Sequence, residues 1–144
     1  MKKWMKTIAT TMALTMAMTG CGGSSDAPAD DAADKYTVGI VQQLEHPALD
    51  AATLGFQEKL TELLDGNVTF DYQNAQGEQT NCTTIATKFV SDGVDLIMAN
   101  ATTALQSAAA ATADIPIVGT SVTDYVTAGV VDSNEAPGRN VTGA

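Results

Sequence analysis

The sequence predicts an α/β fold: a parallel sheet with helices on both faces, three layers deep. Three observations lead there. From Tyr36 onward, short apolar runs of strand length alternate with longer segments whose apolar residues recur at helical spacing. The segments between successive runs are too long for hairpins, so the chain returns by crossovers and neighbouring strands run parallel. Gly66 and Gly93 follow the first two helical segments, where a left-handed residue commonly ends a helix.

Tyr36–Val41 (YTVGIV) is the first apolar run. Pro47–Leu64 reads as a helix, with proline suited to the first turn and an apolar stripe of Leu49, Ala52, Phe56, Leu60, Leu63 and Leu64. Val68–Gln73 (VTFDYQ) alternates like a strand. Glu78–Ser91 is the second helix, and Cys82 lies at helical spacing with Ile85, Ala86, Phe89 and Val90, which makes this thiol a small core hydrophobe. Asp95–Ala99 (DLIMA) is a buried strand, Thr102–Ala113 an alanine-rich helix, and Ile115–Thr120 a fourth strand.

The region before Tyr36 has a different composition. Lys2, Lys3 and Lys6 precede Ile8 to Met18, an uncharged run shorter than the about 20 apolar residues a membrane span needs. That is the build of a secretory signal peptide. Met18-Thr19-Gly20-Cys21 resembles the bacterial lipobox, in which the cysteine receives a lipid and becomes the first mature residue. Gly22 to Asp34 (GGSSDAPADDAAD) has no large apolar side chain and reads as a solvated spacer. The expected organisation is a signal peptide over 1–20, an acylated Cys21 with an acidic linker over 21–35, and one α/β lobe over 36–144.

Beyond residue 20, all 17 acidic side chains face only Lys35, Lys59, Lys88 and Arg139. So acidic a surface argues against nucleic acid or anionic lipid as a partner. With Cys21 acylated, Cys82 has no partner, so no disulfide framework is expected.

Open parallel sheets bind ligands beyond the carboxyl ends of their strands. Four segments therefore compose the candidate site: Gln42–His46, Asn74–Gln79, Asn100–Thr103 and Ser121–Asp124. They are rich in amides and hydroxyls. Asn100-Ala101-Thr102-Thr103 opens a helix, whose first backbone N–H groups suit a carboxylate or other small anion. The same residues also read as a simple cap, through Asn100 or Thr102. Catalytic patterns are missing: no G-x-G-x-x-G, no G-x-x-x-x-G-K-[ST] and no G-x-S-x-G. His46, the single histidine, stands before Pro47 as a loop or capping residue, and Asp92 with Asp95 flanks a turn. The sequence predicts no enzyme, no cofactor and no metal site.

The strings VGIVQQLEHPALDAATLGFQEKL, YQNAQGEQ, DGVDLIMANATTALQ and TDYVTAGVVDSNEAPGRNVTG together resemble the solute-binding lipoproteins of bacterial ABC importers. The similarity is to the branch of the type I periplasmic-binding-protein fold that includes tryptophan- and tyrosine-binding members. It implies that Gln42, Asn74, Gln79, Asn100, Thr102, Thr103, Ser121, Thr123 and Asp124 line a ligand cleft. Tyr125 stands where the family usually has proline, Arg139 where it often has a second glycine, and Thr103 replaces a frequent proline. The resemblance implies two lobes closing on a ligand by a hinge motion, so this chain is expected to be the amino-terminal lobe. The implied function is capture of a small organic ligand, an amino acid and notably an aromatic one, for an ABC permease and its ATPase. A sensory ligand-binding module of the same fold is the alternative.

Overall fold

The computed structural model describes residues 35–144. The expected signal peptide, the acylated Cys21 and nearly all of the acidic linker lie outside the described residues. Five strands and three helices follow in the order β1 (Tyr36–Gln42), α1 (Pro47–Leu63), β2 (Val68–Asn74), α2 (Gln79–Asp92), β3 (Leu96–Asn100), α3 (Thr102–Ala111), β4 (Ile117–Thr120) and β5 (Val141–Gly143). All pairings are parallel, in the sheet order β2-β1-β3-β4-β5. The expected architecture is present.

Strand periodicity divides the core between the two faces. Val38 and Ile40 of β1, Val68 of β2 and Met98 of β3 pack with Phe56, Leu60 and Leu64 from the α1 side. Val41, Ile97, Ala99, Ile117 and Val141 point the other way, onto Cys82, Ala86 and Phe89 of α2 and Leu105 and Ala108 of α3. Gly39 also faces α2, and a Cβ there would lie 2.6 Å from two carbons of the Phe89 ring. The missing side chain is what lets α2 approach the sheet.

Each crossover ends for a local reason. His46 precedes α1 in extended conformation and its Nδ1 accepts from the Ala48 N–H (3.2 Å), so of the loop and capping roles the sequence allowed it takes the cap. Gly93 closes α2 at φ 67°, a left-handed conformation that favours glycine. Asp95 Oδ2 accepts from the Thr37 N–H (2.7 Å), while Asp92 pairs with Lys88 at 2.6 Å, so both aspartates act structurally. Cys82 is fully buried, and burial pushes its thiol pKa upward.

Two expectations need correction. Leu63 is 65% exposed, outside the buried stripe, because that stripe advances in four-residue steps through Ala52, Phe56, Leu60 and Leu64 and has rotated away by the last turn. Strand β5 was not anticipated. It has three residues and no alternation of its own, and it forms by pairing Val141, Thr142 and Gly143 with Ile117, Val118 and Gly119. The long segment between β4 and β5 is nonetheless packed. Val130 and Val131 are buried, and Asn140 Nδ2 donates to the carbonyls of Thr112 (3.2 Å) and Ile115 (2.7 Å).

Candidate functional site

The strands end level with one another. Gln42 pairs in register with Asn74 on one side and Asn100 on the other, and Asn100 pairs with Thr120. The carboxyl edge of the sheet is therefore a row of four polar residues, Asn74-Gln42-Asn100-Thr120. The loops above it are tied to the row through backbone bonds. Ala75 N–H donates to Gln42 O (2.8 Å), Gly77 N–H to Gln43 O (2.7 Å), Gln43 N–H to Asn100 O (3.2 Å) and Ala101 N–H to Thr120 O (3.0 Å).

Backbone strain gathers at the same edge. Four non-glycine residues among those described have positive φ, and three of them, Gln76 (55°), Ala101 (91°) and Ser121 (56°), lie within two residues of a strand's carboxyl end. Ala101 combines φ 91° with ψ 159°, a region that side-chain-bearing residues rarely enter, at a cost of about 1–3 kcal/mol. Such outliers cluster at ligand-binding edges, where the surrounding fold holds the chain in place.

The nine predicted residues separate into three groups. Gln42 and Asn100 are fully buried and turn beneath the edge. Gln42 Nε2 donates to Leu44 O (2.9 Å) and Asp50 Oδ1 (2.6 Å), and its Oε1 accepts from the Thr53 hydroxyl (2.7 Å). Asn100 Nδ2 donates to Leu49 O (2.8 Å) and Thr53 Oγ1 (3.0 Å). Both ends of the Gln42 amide are thus committed to partners within the fold. Asn100 Oδ1 is buried without a partner among the described residues.

The second group opens helices. Thr102 and Thr103 are the first residues of α3, both half-buried, and the residue before them is Ala101. No side chain caps α3, so neither Asn100 nor Thr102 serves as the cap that the sequence also allowed. The leading N–H groups of α3 are left open at the rim. Gln79 is the exposed first residue of α2, which is likewise without a side-chain cap.

The third group flanks the row. Asn74 Oδ1 accepts from the Gln76 N–H (2.7 Å), shaping a hollow of ≈ 530 Å³ lined by Leu44, Glu45, Asn74 and Gln76. On the far side, Thr123 and Asp124 join Tyr125, Thr142 and Gly143 around a cavity of ≈ 330 Å³, while Ser121 is exposed beside them. Asp124 Oδ1 accepts from the Thr127 N–H (2.6 Å), which holds its carboxyl below the ordinary carboxylate value. Tyr125 hydroxyl lies 2.9 Å from Gly119 O and 3.1 Å from Ala144 O, against two glycines whose lack of a Cβ makes room for it.

Thr120, Asp50 and Thr53 did not stand out in the sequence. Thr53 carries the one signal available, a polar residue on the inward face of α1 between Leu49 and Phe56, and it is 5% exposed.

A parallel α/β fold with a polar, strained carboxyl edge, where α2 and α3 start without side-chain caps, has the features of a small-molecule-binding edge. Residues 37–144 match the family model described as ABC transporter substrate binding protein, and the chain belongs to that family. It is 46% identical over 127 residues to a tyrosine-binding protein of Clostridioides difficile, covering 86% of this chain and 37% of the relative. Among solved structures, a ligand-free, open substrate-binding protein with adhesive properties from Clostridium difficile is similar at TM-score 0.71 and 46% identity, over 75% of this chain and 38% of the other. A protein domain from Streptococcus pneumonia in complex with L-Trp is similar at TM-score 0.72 and 35% identity, over 76% and 38% of the two chains. A conserved domain protein of Vibrio cholerae matches at TM-score 0.73 and 41% identity, over 76% and 38%. The chain thus spans well under half the length of each of these relatives.

Proposed function

We propose that this chain is the amino-terminal lobe of an extracytoplasmic solute receptor that delivers an aromatic amino acid to an ABC permease and its ATPase. Cys21 carries the lipid anchor and residues 22–34 space the lobe from the membrane. The observation that carries the reading is the start of α3. Its leading N–H groups have no side-chain cap, the strained Ala101 precedes them, and the hydroxyl-bearing Thr102 and Thr103 are its first two residues. Together they suit a carboxylate, through hydrogen bonds reinforced by the helix dipole. Asn74 and Gln79 orient the rest of the ligand from the β2 side, with Ser121, Thr123 and Asp124 on the β4 side. Asn100 and Gln42, both buried, support the rim from below. The tyrosine-binding relative and the L-Trp-bound neighbour support the choice of an aromatic amino acid. Capture and lobe closure need no covalent step.

The test is a thermal-shift screen of the twenty amino acids against the full-length, lipid-free protein. A ligand at a hundredfold excess over Kd stabilises the folded state by about 2.7 kcal/mol. L-Tyrosine or L-tryptophan is expected to give the shift, and Thr102→Val with Thr103→Val to abolish it. A panel without any shift, or a double variant with unchanged affinity, would refute the assignment.

A further inference from the structure

We propose that Thr53 is the positioning residue of the ligand-facing rim, an inference that rests on the functional reading above. Among the described residues four polar side chains are buried: Gln42, Thr53, Asn100 and Ser107. Three of them meet at one point, under the carboxyl edge of β1 and β3. The Thr53 hydroxyl uses both of its capacities there, donating to Gln42 Oε1 (2.7 Å) and accepting from Asn100 Nδ2 (3.0 Å). No other group in the cluster can do both, because an amide carries its donor and acceptor on separate atoms. Asn100 Nδ2 also approaches Gln42 Oε1 directly, but at 3.5 Å, the outer limit of a hydrogen bond.

The connections run outward from this point. Gln42 Nε2 holds Leu44 O and Asp50 Oδ1, so the loop into α1 and the helix's first turn hang from the same amide. Gln43 N–H donates to Asn100 O, and Gly77 N–H to Gln43 O, which carries the linkage to the loop before α2. Thr53 thus sets the amides of two strand ends, and through them two of the loops that face the ligand. Well-packed apolar side chains stabilise a core at least as well as a buried polar cluster, whereas a connected network specifies one arrangement. Its place at the carboxyl end of the α1-side core, one same-face position beyond Ile40 in β1 and Met98 in β3, matches that use.

The experiment compares four versions of the full-length protein: parent, Thr53→Val, Thr53→Ser and Val94→Ala. Val94 is 4% exposed at the opposite, amino-terminal end of the sheet and serves as the control for lost stability. L-Tryptophan and L-tyrosine binding is measured by calorimetry, and amide hydrogen exchange is followed at Gln43 and Gly77. Thr53→Val is expected to weaken binding about tenfold, the equivalent of about 1.4 kcal/mol, and to speed exchange at both amides. Thr53→Ser restores both, and Val94→Ala lowers stability while leaving affinity and these amides unchanged. Equal affinity in Thr53→Val and parent, or equal weakening by Val94→Ala, overturns the proposal. If the parent binds neither amino acid, the functional reading fails by itself. Exchange then decides the positioning role: selective loss of protection in Thr53→Val supports it, and loss no greater than in Val94→Ala overturns it.

Discussion

Replacing Gly39 by alanine tests how closely α2 is seated on the sheet. The new Cβ would lie 2.6 Å from Cγ and Cδ2 of Phe89 and 2.9 Å from Cδ1, distances that carbon atoms do not sustain. Ordinary contact begins near 3.5 Å, so ring or strand must move by roughly 1 Å. Phe89 is fully buried among Val41, Ala86 and Ile97 and has little room to yield. Overpacking of this kind costs about 1–3 kcal/mol. Against it stands the lost freedom of the unfolded chain, which favours alanine by about 0.4–1 kcal/mol. The clash is the larger effect, and Gly39→Ala is expected to destabilise by about 1–2 kcal/mol net. Urea unfolding followed by circular dichroism measures it, with an osmolyte in every sample so that weak variants remain folded. Phe89→Ala alone should cost about 3–5 kcal/mol. In that background the ring is gone, so Gly39→Ala should change sign and stabilise. An equal cost in both backgrounds would show that the contact with Phe89 is not what requires glycine here.

Three further outcomes follow from the same coordinates. Lys88 Nζ sits 2.6 Å from both Asp71 and Asp92; the Lys88 hydrogen bond, with a second from Gln73, holds the Asp71 carboxyl below its ordinary value of 3.8. A lowered folded-state pKa gives stability that is present above 3.8 and lost as pH falls through the folded value. The difference in stability between parent and Lys88→Met should therefore hold across neutral pH and shrink below 3.8; a difference unchanged in acid would refute the pairing. Cys82, fully buried with its thiol pKa raised, should resist alkylation in a folded Cys21→Ser protein and react once urea unfolds it, as mass spectrometry would report. Cys21→Ser should move the protein from the membrane fraction to the soluble one in its native host; continued sedimentation with membranes would rule out the lipid anchor.

Much of this molecule could be read along the chain. The alternation of strands and helices, the burial of β3, the core place of Cys82 and the loop-or-cap place of His46 all depend on neighbours within a few residues. Local periodicity carries such information, and the choice of the carboxyl edge as the candidate site follows from the parallel order of the strands. What local pattern could not settle was where each rim side chain would turn. Gln42, Thr53 and Asn100 are far apart in sequence, and only register between β1 and β3 and the seating of α1 brings them together. That contact turns two polar residues that look free to meet a ligand into the underpinning of the rim. It leaves Thr102 and Thr103 at the uncapped start of α3. Strand β5 is the same lesson for the backbone. Three residues without a pattern become a strand because β4 offers them an open row of hydrogen-bonding groups, and no property of the three alone foretells it.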